Sequence, residues 1–159
     1  MPGGTENCFF GREKCGDIIP TGVRLNGINS PADLYDALAS GLWCADTCAP
    51  RMRNEWSSEN MTLGQCSVTA FIVQDIFGGQ VYGIPMSGGN FHCYNCVGNV
   101  CFDLTSGQFG DRAGLLVYDK SNLQSRVQHF ARQEKLERYN ALKSALERYA
   151  DGYGGCIEN

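Results

Sequence analysis

Cys66, His92 and Asp103 have the types and the order that nucleophilic chemistry needs. A thiolate attacks a carbonyl carbon, an imidazole takes and returns the proton, and a carboxylate orients the imidazole. Cys66 falls in the first turn of a predicted helix, where unpaired N–H groups and the helix dipole favour the thiolate. His92 and Asp103 fall on a predicted hairpin. The run Phe91–Val97 is followed by Gly98-Asn99 and then Val100–Leu104. A Gly-Asn pair between two β-rich runs signals a two-residue turn. That loop pairs Val97 with Val100, Cys96 with Cys101, Tyr94 with Asp103 and His92 with Thr105. Side chains alternate along strands, so His92, Tyr94 and Cys96 share a face with Cys101, Asp103 and Thr105. His92 and Asp103 are then diagonal neighbours with Cα atoms about 7–8 Å apart, within hydrogen-bonding reach. A slip of one residue would turn one partner away. The backbone N–H of Cys66 and the carboxamide of Gln65 are the expected donors to an oxyanion. The competing reading is structural: a cysteine on an apolar helix commonly packs, and a strand histidine commonly satisfies a hydrogen bond.

The elements that position these residues follow from pattern. Residues 1–29 are rich in Gly and Asn and read as an irregular or strand-bearing extension. Ser30 caps a helix that opens on Pro31, with Asp33 in its first turn and Leu34, Ala37, Leu38 and Leu42 as its buried stripe. Gly41 falls near its end. Residues 44–61 read as a loop. Thr62 and Gln65 fit a capping box. The run CSVTAFIVQDIF is apolar nearly all round and ends at Gly78-Gly79, which predicts a buried helix over about 64–77 rather than a strand. Gln80–Ile84 reads as a strand, and Gly114–Tyr118 as a further one. Residues from about 121 to 150 read as one helix, with Leu136, Tyr139, Leu142, Leu146 and Tyr149 on one face and an i,i+4 pair between Glu134 and Arg138. Residues 124–150 hold six Lys and Arg against three acidic residues. That excess, and His129 within it, read as a solvated face.

The 159 residues carry a net charge of −4, with 43% apolar and 19% charged residues. This is a folding composition of one-domain size. An acidic balance argues against nucleic acid as a partner. The longest strongly apolar run, Val68 to Val73, is far too short to span a bilayer. The start MPGGTENCFF shows no secretory features, so a cytoplasmic location and a reducing compartment are expected.

Nine cysteines are many for such a chain. Cys8, Cys15, Cys44 and Cys48 form two close pairs around the first helix. They have the types for a four-thiolate structural zinc site, and reduced thiols or local disulfides are the alternatives. Cys96 and Cys101, directly opposite, suit a cross-strand disulfide. A metal on Cys96, Cys101 and His92 would conflict with His92 acting as a base. Cys93 points to the other face, and Cys156 is the expected odd thiol.

The segments LYDALASGLW, WSSENMTLGQCSVTAFIVQDIFGG, FHCYN, FDLTSGQF and ERYNALKSAL resemble the YunG family of small bacterial proteins. The Cys, His and Asp pattern of that family is similar to papain-like and transglutaminase-like folds. There a cysteine at a helix N-terminus meets a histidine and an aspartate on adjacent strands. The resemblance implies Cys66, His92 and Asp103 as the triad, with Gln65 as an oxyanion donor. Residues 1–29, and the cysteines crowding the hairpin, depart from the family pattern. The expected architecture is α+β, papain-like or transglutaminase-like, with helices on a small antiparallel sheet and a closing C-terminal helix. It comprises an extension over 1–29, one domain over 30–152 and a tail over 153–159. The expected function is a thiol hydrolase or acyl transferase acting on a peptide, amide or other acyl substrate. It requires no cofactor for catalysis, with zinc at most structural. The alternative is a non-catalytic binding module on the same scaffold.

Overall fold

The computed structural model describes residues 8–154. The first seven residues of the extension, Cys156 and the tail from 155 onward lie outside the described residues. The apolar run after Gln65 forms helix α2, Cys66–Phe77. Its β-branched residues would also suit a strand, but Gly78 ends the helix with φ 79° and returns its N–H to the Gln74 carbonyl. Burial on nearly every side explains the absence of a polar stripe. One flank meets the sheet, and others meet the first and last helices.

The sheet has three antiparallel strands in the order β1 (Gln80–Pro85), β2 (Phe91–Val97), β3 (Val100–Phe102). The hairpin register is the expected one: Val97 faces Val100, Cys96 faces Cys101 and Asn95 faces Phe102. Gly98 takes φ 59°, as a tight two-residue turn requires. The strand continues less far than expected. After Phe102 the ladder passes to the extension, where Asp103 N–H donates to the Phe10 carbonyl at 3.0 Å. The extension therefore adds backbone beside Asp103, and Phe9, Cys15, Ile18 and Ile28 join the common core. Asn95 Nδ2 donates to the Ala70 carbonyl at 2.9 Å, which identifies the β2 face turned to α2.

Helix α1, Pro31–Ala37, begins as its sequence predicts, with Ser30 Oγ accepting from Asp33 N–H. Leu34, Ala37 and Leu38 are fully buried. Gly41, with φ 128°, sits in a wider turn over Leu38–Leu42, and Leu42 is only partly buried.

Three expectations differ from the structure. The segment Gly114–Tyr118 forms no strand; its first residues end a run of 3-10 turns over Ser106–Leu115. The single C-terminal helix is two, α3 (Arg126–Phe130) and α4 (Gln133–Gly154). Arg126 holds α3 on α2 through the Phe71 carbonyl and the Asp75 carboxylate, at 3.0 and 2.6 Å. The Thr62 capping box is also absent. Gly64 lies in the left-handed region at φ 71°, so the chain turns there and α2 starts at Cys66. In α4, Tyr139, Leu142 and Leu146 are buried as the periodicity predicts, and Glu134 pairs with Arg138 at 2.8 Å. No helix among the described residues is long and apolar enough to cross a membrane.

Candidate functional site

The N-terminus of α2 abuts the start of β2. Cys66 is the first residue of the helix, and its Sγ lies 3.9 Å from the Phe91 carbonyl oxygen. Helix geometry leaves the first-turn amides without intrahelical partners, and here no side chain caps them. Next along β2 come His92 and Cys93, and both are near enough to the Cys66 sulfur to shift its titration.

His92 and Asp103 meet on one face, as the register predicts. His92 Nε2 lies 2.6 Å from Asp103 Oδ2, with both residues buried. A carboxylate oxygen accepts, so Nε2 carries the hydrogen and Nδ1 is left for the sulfur. Asp103 is held on both oxygens. Oδ1 accepts from Thr105 N–H at 3.0 Å and from Thr105 Oγ1 at 3.2 Å, and Oδ2 also accepts from Tyr118 Oη at 2.7 Å. Phe109 sets its ring at right angles to the His92 ring, with centroids 4.7 Å apart.

These contacts set the charges. The Cys66 thiol is pulled well below its ordinary value of 9.0. The hydrogen bond from Cys93 is the largest cause; burial opposes it, and the hydrogen bond and charge of His92 add to it. Burial alone would push the His92 imidazolium down, but Asp103 and then Cys66 raise it from 6.5 to about 10. Cys93 moves the opposite way from Cys66, well above 9.0, because its hydrogen bond to that sulfur and its burial keep its own proton on. These shifts favour a thiolate on Cys66 beside an imidazolium on His92, with Cys93 as a neutral S–H donor.

Gln65 immediately precedes Cys66 at the start of α2. Its side chain is buried, its Nε2 donates to the Cys44 carbonyl at 3.0 Å, and it does not line the cavity at Cys66. The Cys44 carbonyl takes one of the two Nε2 hydrogens, and the Cys66 amide is the other expected donor to an oxyanion. Gly64 serves this region differently. A Cβ there would come within 2.5 Å of Cys48 Sγ and 2.9 Å of Ala49 N. Gly64→Ala is expected to cost about 1–3 kcal/mol through left-handed strain and this overlap. It should also slow Cys66 alkylation, because the turn sets the start of α2. Thermal melting with peptide-resolved alkylation checks both effects.

The other sequence candidates are placed apart from this centre. Cys15 is buried, and its thiol donates to the Gly11 carbonyl at 3.2 Å. Cys48 is buried beside the Ala49 carbonyl, Cys44 sits near the Thr47 hydroxyl, and Cys8 is exposed. Among the described residues, no group of three or more His, Cys, Asp or Glu side chains is gathered as a metal would need. Cys96 and Cys101 form a disulfide with Cα atoms 4.2 Å apart. Their sulfurs are thus occupied, and His92 is engaged by Asp103 instead.

Cys66 and His92 open on a cavity of about 680 Å³. His129 lines it, contrary to its reading as a solvated residue. Lys135 Nζ donates to His129 Nδ1 at 2.8 Å, so His129 Nε2–H donates to Gln124 Oε1, also at 2.8 Å. Burial, followed by the charge of Lys135, pushes His129 down to about 4, so it is neutral at pH 7. Sequence reasoning missed Cys93, Thr105, Tyr118 and the Lys135–His129 pair. Thr105 alone had a signal, since the register placed it on the face of His92.

No solved structure matches the chain. A protein of Bacillus subtilis (strain 168) named "Uncharacterized protein YunG" is 39% identical over 56 residues, which cover 35% of this chain and 48% of that protein. The chain thus spans about half the length of this curated relative. The model of the YunG protein family matches residues 30–151, a stretch that contains α2, the sheet and the whole Cys66–His92–Asp103 arrangement. The chain belongs to the YunG family.

Proposed function

We propose that the chain is a thiol enzyme that transfers or hydrolyses an acyl group held in an amide, ester or thioester. The observation that carries this reading is the buried His92–Asp103 pair, 2.6 Å apart, beside Cys66 at the start of α2. Cys66 Sγ attacks the carbonyl carbon, and the carbonyl electron pair moves to oxygen. The Cys66 N–H at the uncapped helix end stabilises that oxyanion. The intermediate collapses, the bond to the leaving group breaks, and His92 gives its Nδ1 proton to that group. Water or an amine then attacks the thioester, His92 takes a proton from it, and Cys66 departs as thiolate. Asp103 keeps Nε2–H engaged throughout, so Nδ1 is the nitrogen that moves the proton. A papain-like or transglutaminase-like ancestry fits the order of helix cysteine, strand histidine and strand aspartate. The disulfide favours the second reading, a non-catalytic binding module on a stapled scaffold.

Incubation with p-nitrophenyl acetate and intact-mass analysis separates the two. The expected result is an acetyl adduct that maps to Cys66 and is lost in Cys66→Ala. Acetylation spread over lysines, with none on Cys66, would contradict the enzyme reading and leave the binding module.

A further inference from the structure

The wall of the cavity at Cys66 has a charge unlike that of the chain. The chain is acidic at −4. Yet among the described residues the cavity is lined by Arg51, Arg132, Lys135 and Arg138 against Glu134 as its acidic side chain. Lys135 and Arg138 are three residues apart on one side of α4, and Arg132 lies just before the start of that helix. The basic excess read from the sequence as a solvated face is in part the wall of this cavity.

Glu134 is already shared. It accepts from Arg138 Nε at 2.8 Å and lies 3.7 Å from Arg132 Nη2. Arg138 is buried and also donates to the Thr47 carbonyl at 3.1 Å, so it is fixed in place. Lys135 is different. Its ammonium holds the neutral His129 ring and forms no ion pair among the described residues. An ammonium has three donors, and one hydrogen bond to His129 orients it without neutralising it. His129 is itself held by Gln124 and by its edge-to-face contact with Phe71, with centroids 5.1 Å apart. The site thus aims a positioned cation into a cavity that also holds the nucleophile. The Cys66 thiolate has His92 as its neighbouring counter-charge; burial lowers the Lys135 ammonium, and the charges of Cys93 and Cys66 oppose that lowering.

We infer that the acyl substrate of this site carries an anionic group, a carboxylate or phosphate, which Lys135 binds with help from Arg132 while Cys66 meets the carbonyl. This rests on the thiol-enzyme reading and adds the substrate's charge class to it. Glu134 and Arg138 act as positioning residues, since Glu134 draws the two arginines together above Lys135.

Two alkylating agents with the same leaving group test it on the full chain. Iodoacetate is an anion and iodoacetamide is neutral; each loses iodide as its carbon bonds to the Cys66 sulfur. The rates at Cys66 are followed by peptide mass spectrometry, and their ratio is divided by the same ratio for mercaptoethanol. That quotient cancels the thiolate fraction and leaves the effect of reagent charge. The expected wild-type preference for iodoacetate is about tenfold at low salt, falling toward unity near 1 M salt. Lys135→Gln should remove most of it, whereas a preference due to His92 alone would survive. Arg132→Gln, on an exposed side chain, should lower it about twofold, and this variant decides the matter if Lys135→Gln does not fold. Fast reaction with iodoacetamide but no preference for iodoacetate, or a preference untouched by both substitutions, overturns the anionic substrate and leaves the nucleophile intact. Slow reaction with both agents overturns the nucleophile, and this inference falls with it.

Discussion

Asp103→Ala is expected to lower the melting temperature by about 10 °C or more, the largest stability loss of any single substitution in the site. Asp103 is 1% exposed and accepts from His92, Tyr118 and both the amide and hydroxyl of Thr105. Alanine leaves those donors buried without an acceptor and removes the counter-charge of a buried imidazolium. Breaking such a pair by removing one partner typically costs about 3–5 kcal/mol. Asn restores the volume and one acceptor oxygen, so Asp103→Asn should recover part of the loss. Thermal unfolding followed by circular dichroism reads both. A shift for Asp103→Ala below about 3 °C would mean that the network does not hold as described.

The loss should depend on pH in a direction set by His92. Its imidazolium is raised in the folded state from 6.5 to about 10. That contribution is fully present below the unfolded value of 6.5 and disappears as pH rises through about 10. Cys66 has the opposite sign. Its folded value is depressed, so its contribution is present above the unfolded value of 9.0 and disappears as pH falls through the folded value. Between those two folded values the ion pair is intact. Asp103→Ala should therefore cost less as pH rises through 10, when His92 is neutral in wild type as well.

His92→Ala is expected to have the largest effect on reactivity. Without the imidazolium, Cys66 keeps the Cys93 donor but loses both the hydrogen bond and the charge that His92 supplies. Its thiol then titrates higher than in the wild type, so less of it is thiolate at any given pH. Below its own pKa, the variant's alkylation rate should fall about tenfold for each unit of pH. The wild-type rate should stay level over the same range while Cys66 remains ionised. The gap is moderated at pH 7, because a thiolate of lower pKa is intrinsically less nucleophilic. It therefore widens as pH falls, and the comparison at pH 6 is the most informative. A constant ratio between the two proteins across pH 5–8 would mean that His92 does not set the thiolate.

Part of the site was legible because two local signals fix it. Gly98-Asn99 sets the hairpin register, which turns His92 and Asp103 to one face, where they meet although the β2–β3 pairing ends at Phe102. Gly78 closes α2 and leaves Cys66 in its first turn. What stayed hidden comes from contacts between segments distant in sequence or from breaks that periodicity does not mark. Tyr118 reaches Asp103 from a stretch that looks like a strand, yet its Leu115 and Val117 are exposed. The break at Ala131–Arg132 interrupts a pattern that reads as one helix, and it brings Lys135 to His129. Alternation places Cys93 on the face of β2 opposite His92. Both still reach Cys66 because the end of α2 meets the start of β2. The capping box failed for a single residue: Gly64 takes a positive φ that no helix interior accommodates.

The most direct test of the account is the pH–rate profile for alkylation of Cys66 in the wild-type protein by iodoacetamide, resolved by peptide. The rate should rise at a pH well below 9, reach a level, and change again near pH 10 as His92 loses its proton. Cys15, whose thiol burial pushes up to about 12, should remain unreactive throughout. A single rise centred near the free-thiol value of about 8.5, with no step near 10, would contradict an ion pair between Cys66 and His92.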